Sequence, residues 1–313
     1  MKIKTPVVLA AASSLLLLTA CGSGGDNPLD SGSSVGEGTI VVGSQSFPES
    51  SLLGEVYAQA LEGAGYSVER SDNIGAREVL YDQVASCDID VTPEYNGALL
   101  AYLRAGTGET DQAPAVTTEE VDAALAEELP DQLTVLDSSS AQDNNAIVVT
   151  DDTATTYDLS TIADLAPVAG DFVFGGPPEF ETRQDGIVGM SQNYGVNFAE
   201  YRVLDYSGPI TITALQDGDI QAALLFSSSP EIDESGFKVL EDPDSVLGVN
   251  NIIPLGCSDS LDEGARDVLN EVSGALTTEQ LVAMNRSYIL DRDDVGQVAT
   301  SFLEDNDIAA GSN

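Results

Sequence analysis

Apolar residues come in short clusters along this chain, and their spacing switches between two periods. Thr39-Ile40-Val41-Val42-Gly43 is a continuous run suited to a buried strand. Leu52, Leu53, Val56, Tyr57, Ala60 and Leu61 then recur at i, i+3/i+4 intervals, the apolar face of a helix. Gly63 and Gly65 stop that helix, a second strand runs from Tyr66 to Glu69, and 77–84 reads as another helix. Ile89-Asp90-Val91 predicts a third strand, and Pro93 is expected to open a helix bearing Leu99, Leu100 and Leu103. Thr117 with Glu120 three residues on is a capping box for a helix reaching Leu129.

The rhythm then restarts. Strands are expected at 146–149, 172–174, 203–204, 222–226 and 252–255, with short helices over 159–165 and around 212–215 between them. Val239 and Leu240 begin a return, and from Leu261 onward the pattern is helical. Strands alternating with helices in this way predict mainly parallel α/β sheets, and two lobes fit the restart better than one.

Composition narrows the chemistry. The chain of 313 residues carries 53 acidic against 11 basic side chains, a formal charge of −42. So negative a surface excludes nucleic acid as a partner, because that affinity comes from cations on phosphates. There is no histidine, which removes Ser-His-Asp and Cys-His catalysis and every His-ligated metal site. The acidic runs, such as Glu119-Glu120 and 291–294, read as solvated faces and lack the ligand ladder of a calcium loop. No metal or cofactor is expected. Hydrophobic residues still make up 42%, enough for a real core. Scarce lysine with abundant aspartate resembles chains adapted to high salt, where screening relieves self-repulsion.

The N-terminus predicts an address. Lys2 and Lys4 precede an apolar stretch at 7–18 that is too short for a comfortable membrane span, which marks 1–20 as an export signal. Leu18-Thr19-Ala20-Cys21 resembles the bacterial lipobox, making Cys21 the acylated first residue of the mature chain. The Gly-, Ser- and Asp-rich stretch 21–38 is a tether. The expected location is therefore outside the cytoplasmic membrane, held to its outer face by lipid. Cys87 and Cys257 are the two remaining cysteines. An oxidising compartment favours a disulfide between them over two buried thiols. Such a bridge would pack the last quarter of the chain on the first lobe, giving lobe 1 as 39–143 plus 246–313 and lobe 2 as an insertion at 144–245. Ligands of such sheets sit beyond the carboxyl ends of the strands, in the cleft.

Four segments carry a resemblance. Gly43-Ser44-Gln45-Ser46-Phe47-Pro48-Glu49-Ser50 with Leu52-Leu53-Gly54 is similar to the opening of the glycine betaine/choline/carnitine binding proteins of osmoprotectant ABC importers, which read Phe-Thr-Glu-Gln there. Asp88-Ile89-Asp90-Val91-Thr92-Pro93-Glu94-Tyr95-Asn96-Gly97 resembles their Ile-Asp-x-Tyr-Pro-Glu-Tyr-Thr-Gly-Thr segment. Glu179-Phe180-Glu181-Thr182-Arg183-Gln184-Asp185-Gly186, with Tyr194-Gly195 beyond, resembles Glu-Phe-x-x-Arg-x-Asp-Gly…Tyr-Gly, and 222–230 resembles a strand ending Ala-Tyr-Ser-Thr-Asp.

The resemblance implies a type II periplasmic-binding-protein-like clamshell, each lobe a mainly parallel sheet flanked by helices. It implies a monomeric, non-enzymatic receptor that hands a small osmolyte to an ABC permease in the membrane. A trimethylammonium group has no hydrogen to donate, so aromatic faces must hold it. Tyr95 matches a cage tyrosine and Phe226 stands where the family has another, with Phe47 as a further wall or a hydrophobic staple for the next helix. Ser44, Ser50, Asn144 and Asn145 are expected near the ligand's polar end. Arg183 either clamps a ligand carboxylate or pairs with Asp185 or Glu179. The sequence departs from the family pattern at several cage and polar positions, so a different small polar solute held without a full cage is the alternative cargo. A carboxylate-pair glycosidase finds no pair singled out by spacing, and a sensory or adhesive lipoprotein is a further alternative.

Overall fold

The computed structural model describes residues 38–107 and 117–311. The expectations for the export signal, for Cys21 and for the tether before Gly38 lie outside the described residues. Ten strands are present there: β1 (Thr39–Gly43), β2 (Ser67–Ser71), β3 (Val91–Tyr95), β4 (Leu133–Val135), β5 (Asn145–Thr150), β6 (Val173–Gly176), β7 (Glu200–Val203), β8 (Ala222–Phe226), β9 (Phe237–Val239) and β10 (Ile252–Cys257). They form two five-stranded sheets, ordered β2-β1-β3-β10-β4 and β7-β6-β8-β5-β9. In the first, β1 runs parallel to β2 and β3 while β10 is antiparallel to β3 and β4. In the second, β6 runs parallel to β7 and β8 while β5 is antiparallel to β8 and β9. Two mainly parallel sheets with flanking helices make the two-lobed clamshell.

Each sheet takes its antiparallel strand from the chain just after it crosses between lobes. That repeated topology puts the carboxyl end of the third parallel strand beside the start of the crossing strand. Tyr95, the last residue of β3, therefore pairs with Ile252, and Phe226, the last residue of β8, pairs with Asn145. The two aromatic residues occupy equivalent places on the facing edges of the lobes, where open α/β sheets bind ligands.

The helix Pro48–Gly63 shows how pattern becomes structure. Extended backbone at Phe47 leads into Pro48 at the first helical position, where a missing N–H costs nothing. Its apolar stripe, Leu52, Leu53, Val56, Tyr57, Ala60 and Leu61, is wholly buried against β1, β3 and the helices Glu263–Ala275 and Val295–Asp305. Leu80, Val84, Leu99, Leu125 and Leu255 form the core on the other side of the first sheet. Phe174, Phe180, Leu165 and Leu224 anchor the second lobe on one side of its sheet, and Ile212, Leu215 and Leu225 on the other.

Two local expectations are corrected. Pro93 sits inside β3, and the helix begins at Asn96. Buried Pro93 is paired across the ladder with Pro254, so neither position has an N–H to satisfy. The segment 159–165 holds only a short 3-10 turn, Ile162–Leu165, while a helix missed from sequence spans Asp151–Tyr157. That helix has no apolar stripe; it is started by the Thr150 hydroxyl, which accepts from the Thr153 amide at 3.1 Å, and by Asp151 and Asp152 in its first turn.

Cys87, just after the helix Arg77–Ala85, is bonded to Cys257 at the end of β10 across 170 positions of sequence. The bond spans every residue of the second sheet and staples the returning strand to the first lobe. At the crossing the two chain segments run side by side: the Asp143 amide donates to the Asn250 carbonyl at 2.9 Å, and the Asn250 amide donates to Asn144 Oδ1 at 2.7 Å. Among the described residues no helix is long and apolar enough to cross a membrane.

Candidate functional site

A cavity of about 340 Å³ lies in the cleft, walled by residues from both sheets' carboxyl ends. That volume is at the lower end of the ~300–1,000 Å³ usual for small-molecule sites. Four aromatic side chains reach it, Phe47 and Tyr95 from the first lobe and Tyr206 and Phe226 from the second. They come as two pairs. Phe47 and Tyr95 have ring centroids 6.1 Å apart with planes at 32°, and Tyr206 and Phe226 are 5.2 Å apart at 50°. Topology explains the placement, since Tyr95 and Phe226 end β3 and β8, while Phe47 and Tyr206 lie on the loops that leave β1 and β7.

Charged groups share the walls. Arg77 and Arg183 come from opposite lobes, and each spends two of its nitrogens on a carboxylate. Arg77 Nε and Nη2 donate to the two oxygens of Glu94 at 2.7 and 3.1 Å. Arg183 Nε donates to Asp185 Oδ1 at 2.8 Å, and its Nη2 bonds the other oxygen. Burial works against both charges, but the paired carboxylates outweigh it and hold both guanidiniums above their ordinary range. Among the described residues neither Nη1 has a hydrogen-bond partner. The carboxyl-bearing side chains of Glu78, Glu179 and Asp143 line the same walls.

Tyr95 is 95% buried from solvent, and its hydroxyl donates to Glu49 Oε1 at 2.7 Å. Burial, then the charges of Glu49 and Asp143, push the phenol well above its usual range. Asp143 is equally buried, and desolvation with the neighbouring Glu49 raises its carboxyl well above the normal aspartate range, opposed by hydrogen bonds from Ser228.

Of the residues expected from sequence, Tyr95, Phe226, Phe47, Arg183 and Asn145 line one cavity. Ser44, Ser50 and Asn144 do not. Ser44 is fully buried, its hydroxyl donating to Asp72 and accepting from the Asn73 amide. Ser50 is likewise buried and accepts from the Gln45 amide at 2.9 Å, fixing the loop into the first helix. Asn144 braces the crossing through Asn250 and Gln142. Adjacent residues on an extended chain point to opposite sides, so Asn145 faces the cavity and Asn144 the hinge. Arg183 pairs with Asp185 and also lines the cavity.

Sequence reasoning missed Tyr206, Arg77 and Asp143. Tyr206 had a readable signal: Asp205-Tyr206-Ser207-Gly208-Pro209 is a turn between a strand and a Pro-initiated helix, the position where such sheets bind ligands. Nothing local marks Arg77 or Asp143, because the groups they meet are set by the fold: Glu94 for Arg77, and Ser228 for Asp143. Among the described residues no group of carboxylates or thiols is arranged to hold a metal ion.

Comparison with known proteins gives a consistent picture. The family model for the substrate binding domain of ABC-type glycine betaine transport systems, OpuAC, matches residues 38–305. The glycine betaine-binding protein YehZ of Escherichia coli K12 is 25% identical over 309 residues, covering 96% of this chain and 98% of that protein. The carnitine transport binding protein OpuCC of Listeria monocytogenes is 24% identical over 282 residues, 88% and 89% of the two chains. Among solved structures, a glycine betaine/carnitine/choline ABC transporter protein superposes with a TM-score of 0.71 at 22% identity, covering 86% of this chain and 99% of its own. A choline binding protein in complex with choline gives 0.60 at 14% identity, covering 86% and 89%. The chain therefore belongs to the OpuAC family, the substrate-binding domains of ABC-type glycine betaine transport systems, and is a transport receptor rather than an enzyme.

Proposed function

We propose that this receptor captures a zwitterionic quaternary ammonium solute, of the glycine betaine or carnitine kind, in its interlobe cleft. One observation carries the reading: two aromatic pairs, one from each lobe, and two arginines, also one from each, converge on the same small cavity. Rings attract a methylated cation by about 0.5–2 kcal/mol each, more as water leaves. The unspent Nη1 groups of Arg77 and Arg183 supply donors for a carboxylate, which choline lacks. Because the cation wall and the anion wall each draw on both lobes, a zwitterion bridges the halves and stabilises the closed form.

In this reading the protein acts as a monomer outside the cytoplasmic membrane, anchored through acylated Cys21 and the tether, and delivers its cargo to an ABC permease. The disulfide suits an oxidising compartment. Calorimetric titration with glycine betaine, carnitine, choline and ectoine tests it. The expected result is tight binding of the first two and weaker binding of choline. Silence for every quaternary amine removes this ligand class. Loss of globomycin-sensitive processing on Cys21→Ala is the expected sign of the anchor, and unchanged membrane association of that variant would refute it.

A further inference from the structure

At the floor of the cavity Glu49, Asn285, Ser228 and Asp143 form a hydrogen-bonded ring, to which Tyr95 is attached. Tyr95 donates to Glu49 Oε1 at 2.7 Å, and Asn285 Nδ2 donates to Glu49 Oε2 at 2.5 Å and to the Ser228 carbonyl at 3.3 Å. Ser228 donates twice to Asp143 Oδ1, from its amide at 3.2 Å and its hydroxyl at 2.6 Å. Glu49 also neighbours Asp143 closely enough to raise its carboxyl, which completes the ring. The ring joins the first helix, β3, the crossing, the loop after β8 and the helix Thr278–Asn285, so it also ties the lobes together.

The charge balance there is unusual. Glu49 and Asp143 are both about 95% buried, and among the described residues no arginine or lysine bonds either of them. The nearby charges are Glu94, which takes the Tyr95 amide, and Arg77, which is committed to Glu94. Asp143, buried beside another acid and without a cation, is cheaper to keep protonated than charged. The ring is also short of donors, since buried Asn285 Oδ1 receives no hydrogen bond. Asp143 alone of the pair lines the cavity.

We propose that buried Asp143 holds a proton in the empty cleft, beside the Glu49 carboxyl, and releases it to solvent when a quaternary ammonium group settles against the rings, leaving Asp143 as the carboxylate that faces the cation. This deepens, and rests on, the ligand class given above. That proton spares the empty receptor a second buried negative charge, while the cation, which cannot accept a hydrogen bond, replaces it as counter-ion. The complex then holds one proton fewer than its parts, so affinity rises with pH, up to about tenfold per pH unit.

Glycine betaine is titrated into the full-length receptor from about pH 5 to pH 8, at each pH in two buffers of very different ionisation heat, such as phosphate and Tris at the upper end. The expected result is a buffer-dependent heat corresponding to about one released proton, with a count near zero in Asp143→Asn, whose amide keeps an acceptor for Ser228. Glu49→Gln serves as the second variant and is expected to behave alike. Betaine binding with buffer-independent heat, or proton release unchanged in both variants, overturns this inference and leaves the ligand class standing. No binding of betaine, carnitine or choline at any pH overturns both.

Discussion

Tyr206 offers the sharpest test of how the cleft holds a cation. Its ring stands on a loop of the second lobe, 44% exposed in the structure and 5.2 Å from Phe226. Half-exposed, it belongs between the ~0.5–1 kcal/mol of a solvated cation–π contact and the ~2 kcal/mol of a desolvated one, and about 1 kcal/mol corresponds to about fivefold in Kd. Two substitutions separate the quadrupole from mere apolar area. Tyr206→Leu keeps bulk but loses the ring and is expected to weaken glycine betaine binding about fivefold; Tyr206→Phe keeps the ring and is expected to stay within about twofold. Calorimetry gives the affinities, and thermal unfolding checks that the exposed position leaves stability unchanged. If the leucine variant binds as well as the parent, the ring does not contact the cation. If both variants lose equally, the hydroxyl is the contact and the cage argument at this position fails.

Two further outcomes follow from the fold. Replacing Cys87 and Cys257 by serine, or reducing the native protein, opens a loop of 170 residues, whose closure is worth at most about 5 kcal/mol; a loss of about 2–5 kcal/mol in urea unfolding is expected, and a loss below about 1 kcal/mol would show that the bond constrains little. At Gly97 an added methyl would lie 2.1 Å from the Val249 carbonyl oxygen, so Gly97→Ala must push the returning chain away from the hinge. It is expected to cost about 1–3 kcal/mol and to weaken betaine binding, whereas Gly274→Ala, with open space at its Cβ, should do neither; equal behaviour of the two variants would refute the close approach.

The alternation of apolar periods was enough to announce α/β lobes, and it located most strands because buried strands must be written in apolar residues whatever they pair with. The misreadings were local and instructive. Pro93 looked like a helix start because its tolerance in β3 depends on Pro254, which lies on the far side of the inserted lobe. The helix at Asp151–Tyr157 was invisible because capping, not an apolar face, makes it.

At the site the division is similar. Tyr95, Phe226, Phe47, Arg183 and Asn145 were legible from motif and position. Ser44, Ser50 and Asn144 have the right chemistry beside them in sequence, but folding commits their polar atoms to Asp72, Gln45 and Asn250. Tyr206, Arg77 and the Glu49–Asp143 pair became part of the site only through the strand order, which brings together residues nearly one hundred or more positions apart. A chain can encode each element with its own local pattern of burial. Which side chains meet across a cleft, and which carboxyl groups are forced into contact, depends on long-range pairing that no local pattern records.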